Sequence, residues 1–373
     1  MHPYLRKDSM LKDTFEKDTK IKTHQYNTAV VAWLSIGVGM LMIQILLGGI
    51  TRLTGSGLSI TEWNPLMGAL PPLNQHAWQQ SFDKYRQIAQ FKNINSLFTL
   101  ADYKGIFFWE WLHREWARLM GLVFIIPFLI FLFQKKIAHK MIRPLVILFI
   151  LGALQGVIGW IMVQSGLNDT DTRVSHIKLA IHFMCALALL VYLLWFTLKL
   201  RVPPARVQYA PKLRILNIFL LLMLFFQLIY GAFMAGAHAA LAAPTWPDIN
   251  GNYFPAGMFS TGSIWHDLYS NLITIQFIHR TLAYLIAITT LAWFYLAGKT
   301  LRDSWLNKFS RVPLFLVFVQ IISGILALIN SIYSAAIYYS VIHQFVGMLL
   351  LTSLIITLFL SGKKADVCPK NAI

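Results

Sequence analysis

Residues 28–50 read TAVVAWLSIGVGMLMIQILLGGI, a run without a charged residue. A helix needs roughly 20 mostly apolar residues to cross the hydrocarbon core of a bilayer, and this stretch supplies them. Seven further runs of the same kind follow, at about 106–133, 144–164, 177–198, 215–236, 271–297, 312–331 and 338–360. Together they explain a 373-residue chain that is 57% hydrophobic and 13% charged, with a mean hydropathy of +0.59. Soluble domains carry about a quarter charged residues. The sequence therefore predicts an all-α polytopic membrane protein with eight transmembrane helices. The first 27 residues are polar, so the reading places no cleavable signal peptide ahead of the first span.

The formal net charge of +17 raises the question of nucleic acid, but its distribution answers it. Basic residues gather in the N-terminal tail (Arg6, Lys7, Lys12, Lys17, Lys20, Lys22), then at Lys135, Lys136, Lys140 and Arg143. They gather again at Lys199, Arg201, Arg206, Lys212 and Arg214, at Lys299, Arg302, Lys308 and Arg311, and at Lys363 and Lys364. These are alternate connections, which is the positive-inside pattern with both termini cytoplasmic. The charge reads as topology rather than nucleic-acid binding. Of the two cysteines, Cys185 lies in the fourth span and Cys368 in the C-terminal tail, so a disulfide between them is not expected.

The chain carries an internal echo. Four odd-numbered spans hold Gln followed four residues later by Gly: Gln44/Gly48, Gln155/Gly159, Gln227/Gly231 and Gln320/Gly324. That spacing puts both residues on one helix face, where Gly allows close approach and Gln can bond across. Residues 44–63, QILLGGITRLTGSGLSITEW, are echoed by residues 227–246, QLIYGAFMAGAHAALAAPTW, and each leads to a span containing His-Arg. The prediction is two pseudo-symmetric four-helix bundles related by an axis along the membrane normal. They are a half at 28–198 and a half at 215–360, joined by a cytoplasmic linker at 199–214 and flanked by tails at 1–27 and 361–373.

Of eleven histidines, four fall inside apolar spans, one on each even-numbered span: His113, His182, His279 and His343. Counting to the next cytoplasmic lysine gives about 22, 17, 20 and 20 residues, roughly 25–33 Å, so all four sit near the outer edge of the hydrocarbon. An ionisable side chain there needs a partner. Any one of these alone reads as an interhelical hydrogen-bonding residue; the set, matched in depth and repeated twice, reads as two pairs of axial ligands to haem iron. Two histidines per half lack the further ligands that zinc requires. Arg114, Arg118 and Arg280 are candidates to pair with haem propionates, against an ordinary role in snorkelling toward the interface.

The halves differ where chemistry can arise. Glu110 lies three residues before His113 and shares its face, whereas the matching residue before His279 is Gln276. A carboxylate there can exchange protons or steer a water, so one half is expected to be reactive and the other to carry electrons. Two other classes compete: a di-haem b-type cytochrome passing electrons between quinol and a periplasmic acceptor, and a transporter. The first leaves the Glu110/Gln276 difference unexplained, and the second places its sites at the midplane rather than the outer edge.

At GGITRLTGSGLSITEWNPLMGALPP (from residue 48), WEWLHREWARLMG (109–121), the region through His182, FIHRTLAY (277–284) and IHQFVG (342–347), the chain resembles the haem A synthase family. The resemblance is to its proteobacterial and mitochondrial variety and covers nearly the whole chain. It implies a substrate, haem O, held between His113 and His182, and a cofactor, haem b, held between His279 and His343. It implies a requirement for Glu110 in oxidising the C8 methyl of haem O, through an alcohol and a gem-diol, to the formyl group of haem A. It also implies an oxidoreductase of the bacterial inner membrane, with its haem sites near the outer face. The partners it suggests are haem O synthase, cytochrome oxidase assembly factors and an electron donor it does not name; self-association is left open. Some members carry paired cysteines in an external loop; this chain has none there.

Overall fold

The computed structural model describes residues 27–63, 67–301 and 304–363. The tail residues Arg6 to Lys22, His2, His24, Arg302, Lys364 and Cys368 lie outside them. Twelve α-helices form among the described residues. Eight are long and apolar enough to cross a membrane: α1 (Thr28–Leu53), α4 (Leu100–Phe133), α5 (His139–Gln164), α6 (His176–Arg201), α7 (Pro211–Gly236), α9 (Leu272–Thr300), α11 (Arg311–Ile329) and α12 (Ala336–Leu360). The short helices are α2 (Gln75–Tyr85), α3 (Ala89–Asn93), α8 (Ile264–Ser270) and α10 (Trp305–Phe309). This is a multi-pass membrane protein.

Helix α4 begins earlier than the hydrocarbon pattern suggests, because a polar cap extends it past the apolar core, and other spans have their own start signals. Thr99 and Asp102 form a capping box that starts α4, six residues before the apolar run. The Asn271 side chain accepts from the backbone N–H groups of Ile273 and Thr274 at the start of α9. Pro211 opens α7, where its missing N–H costs nothing.

Helices α1, α6, α7 and α12 pack in a ring: α1 on α6, α6 on α7, α7 on α12, and α12 on α1. Outside it, α4 lies on α1, α5 on α6, α9 on α7, and α11 on α12. The continuous apolar core lies within the ring and where the outer helices meet it, and includes Leu34, Leu145, Leu190, Leu220, Trp293 and Leu354. One packing differs between the first four spans and the last four. Helix α9 packs along α11, whereas α4 and α5 do not pack closely and touch through the stacked rings of Phe124 and Phe149.

The chain leaves α1 and α7 by the same turn. Thr54 N–H donates to Ile50 and Gly55 N–H to Arg52; Ala237 N–H donates to Phe233 and His238 N–H to Ala235. Gly55 (φ +68) and His238 (φ +54) occupy matching left-handed positions. Beyond the first turn the connection is long and builds its own aromatic core from Leu58, Phe82, Tyr85, Ile88, Tyr103, Phe107 and Val163. Gln90 ties it to the turn by donating to the Gly55 carbonyl. Burial pushes the Tyr85 hydroxyl up to about 12, which keeps it a donor, here to Gln90.

Candidate functional site

The four Gln–Gly pairs and the four intramembrane histidines prove to be one construction used four times. A Cβ placed on Gly48 would come 3.0 Å from His113 Cε1, on Gly159 2.9 Å from His182, on Gly231 3.4 Å from His279, and on Gly324 2.8 Å from His343. Each glycine makes room for the imidazole of the next span. The glutamines follow: the Gln44, Gln227 and Gln320 amide nitrogens lie 3.5, 3.4 and 3.3 Å from Nε2 of His113, His279 and His343. Gln155 departs from this and donates to the His182 carbonyl. Sequence spacing showed the Gln–Gly face, but nothing in it said that an imidazole fills the gap.

The construction leaves polar atoms stranded. Among the described residues, nine buried side-chain N or O atoms have no partner, and six belong to these units: Gln44 Oε1, Gln227 Oε1, Gln320 Oε1, and Nδ1 of His113, His182 and His279. Buried groups without partners cost about 1–3 kcal/mol each, so their concentration marks places built for a further group. The His279 and His343 rings lie 6.4 Å apart between centroids. Two imidazole nitrogens each about 2 Å from one metal need a comparable span. His343 Nδ1 bonds the Gln320 carbonyl at 3.0 Å and Ser323 at 3.2 Å, which fixes the ring. No group of three His, Cys, Asp or Glu among the described residues could hold a metal unaided. Paired histidines therefore fit a porphyrin iron, which brings four equatorial nitrogens of its own.

Beside the first pair, Glu110 is buried at 3% exposure. The structure gives it an ion pair. Arg114 donates to Oε1 at 2.6 Å, while Ser59 O–H and Ile60 N–H donate to Oε2 at 2.7 and 2.9 Å. In the second half Gln276, fully buried, accepts from Arg280, and its amide nitrogen donates to the Ala239 and Ala243 carbonyls at 2.7 and 3.2 Å. The loop after α1 offers donors and meets a carboxylate. The loop after α7 offers acceptors and meets an amide.

The two arginines that follow are matched. Arg114 donates to the carbonyls of Ile60 and Glu62, and Arg280 to those of Ala243 and Asp248. Both pin the external loop to the helix. Arg118 pairs with Glu115 at 2.9 Å. The loop contacts of Glu110 and Arg114 span some 50 residues of chain, and the only sequence signal for them was the SGLSI stretch opposite Glu110. At the seam between the halves, Gln344 donates to the Ile45 carbonyl and lies over Gly49. It joins the neighbour of His343 to the neighbour of Gly48.

The family model described as cytochrome oxidase assembly protein matches residues 31–355. A heme A synthase of Rhodospirillum centenum is 40% identical over 329 residues, covering 88% of this chain and 87% of its own length. Another from Parvibaculum lavamentivorans is 41% identical over 275 residues, covering 74% and 79%. A third, from Flavobacterium johnsoniae, is 37% identical over 337 residues, covering 89% and 97%.

Proposed function

This chain belongs to the haem A synthase family, and from that premise we propose how its two halves divide the work of converting haem O to haem A. It is an enzyme of haem A biosynthesis, its substrate is haem O, and it works in a membrane. Its reading as a plain di-haem electron carrier is not favoured.

We infer that 28–198 and 215–360 are pseudo-symmetric bundles about an axis along the membrane normal. The equivalent helix pairings and the identical turns after α1 and α7 support that division. His113 and His182 would hold haem O in the first half, and His279 and His343 a resident haem b in the second. That haem supplies one-electron redox chemistry when bound. Oxidation of the C8 methyl to the formyl group proceeds by two hydroxylations, each removing two electrons and adding one oxygen, and loss of water from the resulting gem-diol. Glu110, one turn from His113, would exchange protons with the reacting group or steer a water toward it. Arg114 and Ser59 hold its carboxylate in place. Gln276 cannot take a proton and so has no such part.

The observation that carries this reading is the exchange of Glu110 for Gln276, with loop donors around the one and loop acceptors around the other. The loose packing of α4 against α5 supports entry of the farnesyl-bearing substrate from the lipid side, which the closely packed α9 and α11 would not allow. The basic connections support a topology with both termini in the cytoplasm and the haem sites toward the outer face of a bacterial inner membrane. Membranes containing this chain and a haem O synthase provide the test, with extracted haems separated by mass. Formyl-bearing haem A that disappears without this chain is expected. Haem O and haem b alone, from folded protein supplied with an electron donor, would return the chain to the electron-carrier class.

A further inference from the structure

Arg114 and Arg280 are equivalent residues, and both spend their guanidinium groups on backbone carbonyls and on the side chain one turn before them. Two other arginines at the external end are not spent. Arg52 stands four residues beyond Gly48 and eight beyond Gln44, so it continues the α1 face that meets His113. Arg173 lies in the connection from α5 to α6, the helix that carries His182; its backbone packs beside Gly166, against which Leu58 also lies. Among the described residues neither arginine has a carboxylate within 4 Å or a side-chain hydrogen bond.

The two are electrostatic neighbours, and both act on the His238 ring at the end of α7. A cation near the C-terminus of α1 is favourable in itself. Two cations acting on one histidine, Arg52 half-buried and Arg173 exposed, with no carboxylate paired to either, are not. The arrangement is that of a site for an anion.

The second half lacks both. The residue matching Arg52 is Ala235, and the residue nine before His343, matching Arg173 nine before His182, is Ser334. The free cations thus go with the half that holds Glu110. We propose that Arg52 and Arg173 receive a carboxylate of the porphyrin bound between His113 and His182, orienting the substrate so that one edge of the ring meets Glu110. This assignment rests on the reading of the first half as the haem O site. It gives the substrate half a selection that the cofactor half does without, because a porphyrin held by axial histidines alone can rotate about the axis they define.

The test is equilibrium uptake of iron protoporphyrin, as the free diacid and as its dimethyl ester, by the purified full chain in zwitterionic-lipid discs. Uptake is followed by the absorbance of the bis-histidine species. Wild type should bind the diacid at least about tenfold more tightly than the diester, about 1.4 kcal/mol. The Arg52→Gln/Arg173→Gln variant should bind the diester as wild type does and lose the preference, and Arg52→Lys/Arg173→Lys should restore most of it. A glutamine variant that keeps the full diacid preference overturns the proposal. So does one that loses only retention of added phosphatidylglycerol, which would assign the cations to a lipid phosphate. Uptake that depends on His113 but shows no diacid preference in wild type overturns the arginine assignment and leaves the haem O site standing. Uptake unaffected by His113→Ala overturns the site itself.

Discussion

The loop after α1 and the loop after α7 leave their helices by the same turn and are pinned by matching arginines, Arg114 and Arg280, yet they meet opposite chemistry. Ser59 and Ile60 turn donors toward Glu110, whereas Ala239 and Ala243 turn acceptors toward Gln276. The difference is therefore not one side chain. The loop backbone has been matched to the group beneath it, so that a carboxylate is satisfied in one half and an amide in the other. On the proposed reading, two copies of one haem-binding frame differ where a proton would be handled and agree elsewhere in the frame.

The largest effects should follow from breaking the frame itself. His279→Ala removes a ligand that nothing nearby replaces, and the purified protein should lose the haem of its second half; an unchanged haem content would refute the assignment. Glu110→Gln should leave uptake at the first pair intact while haem A formation falls by about 10²–10⁴-fold, the usual weight of one general acid–base group. Normal haem A yield from that variant would remove Glu110 from the chemistry and erase the functional distinction between the halves.

The reciprocal change asks whether the loops are matched. Gln276→Glu withdraws two donated hydrogen bonds and sets a carboxylate oxygen against the Ala239 and Ala243 carbonyls. Arg280 remains beside it, as Arg114 remains beside Glu110. The loss of two bonds and the repulsion should cost about 2–3 kcal/mol, visible as earlier thermal unfolding of the purified chain, with no gain of a second oxidising site. A stability equal to wild type would mean that the loop follows the side chain rather than the reverse.

Within the repeated Gln–Gly frame the fit varies. A methyl at Gly324 would come within 2.8 Å of His343, whereas one at Gly231 would rest at 3.4 Å from His279. Gly324→Ala must displace an imidazole that Ser323 and the Gln320 carbonyl already fix, and should cost about 1–3 kcal/mol with weakened haem retention. Gly231→Ala is an ordinary contact and should change haem retention little. Equal effects would show that the glycines serve helix approach, as their spacing alone suggests, rather than the rings.

What the sequence disclosed follows from where its signals are local. Spans, the four histidines and the exchange of Glu110 for Gln276 are read from runs and spacings within one helix. The partners of those residues come from elsewhere: Ser59 reaches Glu110 across 51 residues, and Gln344 reaches Ile45 across 299. No periodicity reports such contacts. For the same reason Arg114 and Arg280 read as free cations beside a haem, while the arginines without partners, Arg52 and Arg173, drew no notice among the basic residues of the external side.

The smallest expected effect concerns a left-handed position where the second half puts a side chain and the first half puts none. His238 adopts φ +54 where Gly55 adopts φ +68, and a left-handed conformation costs a residue with a Cβ about 1 kcal/mol. Burial, with Arg52 and Arg173 adding repulsion, lowers the His238 ring from 6.5 to about 4. Between those values the unfolded chain holds more protons than the folded one. Its contribution to stability is therefore complete above pH 6.5 and is lost as pH falls toward 4. His238→Gly should relieve the turn by about 1 kcal/mol or less and flatten the fall in thermal midpoint between pH 6.5 and 4 relative to wild type. Parallel pH profiles would show that the ring is not held against the arginines. A porphyrin diacid bound at the first site should also flatten the wild-type profile, since a carboxylate between Arg52 and Arg173 offsets the charge that opposes protonation of His238. The diester should not.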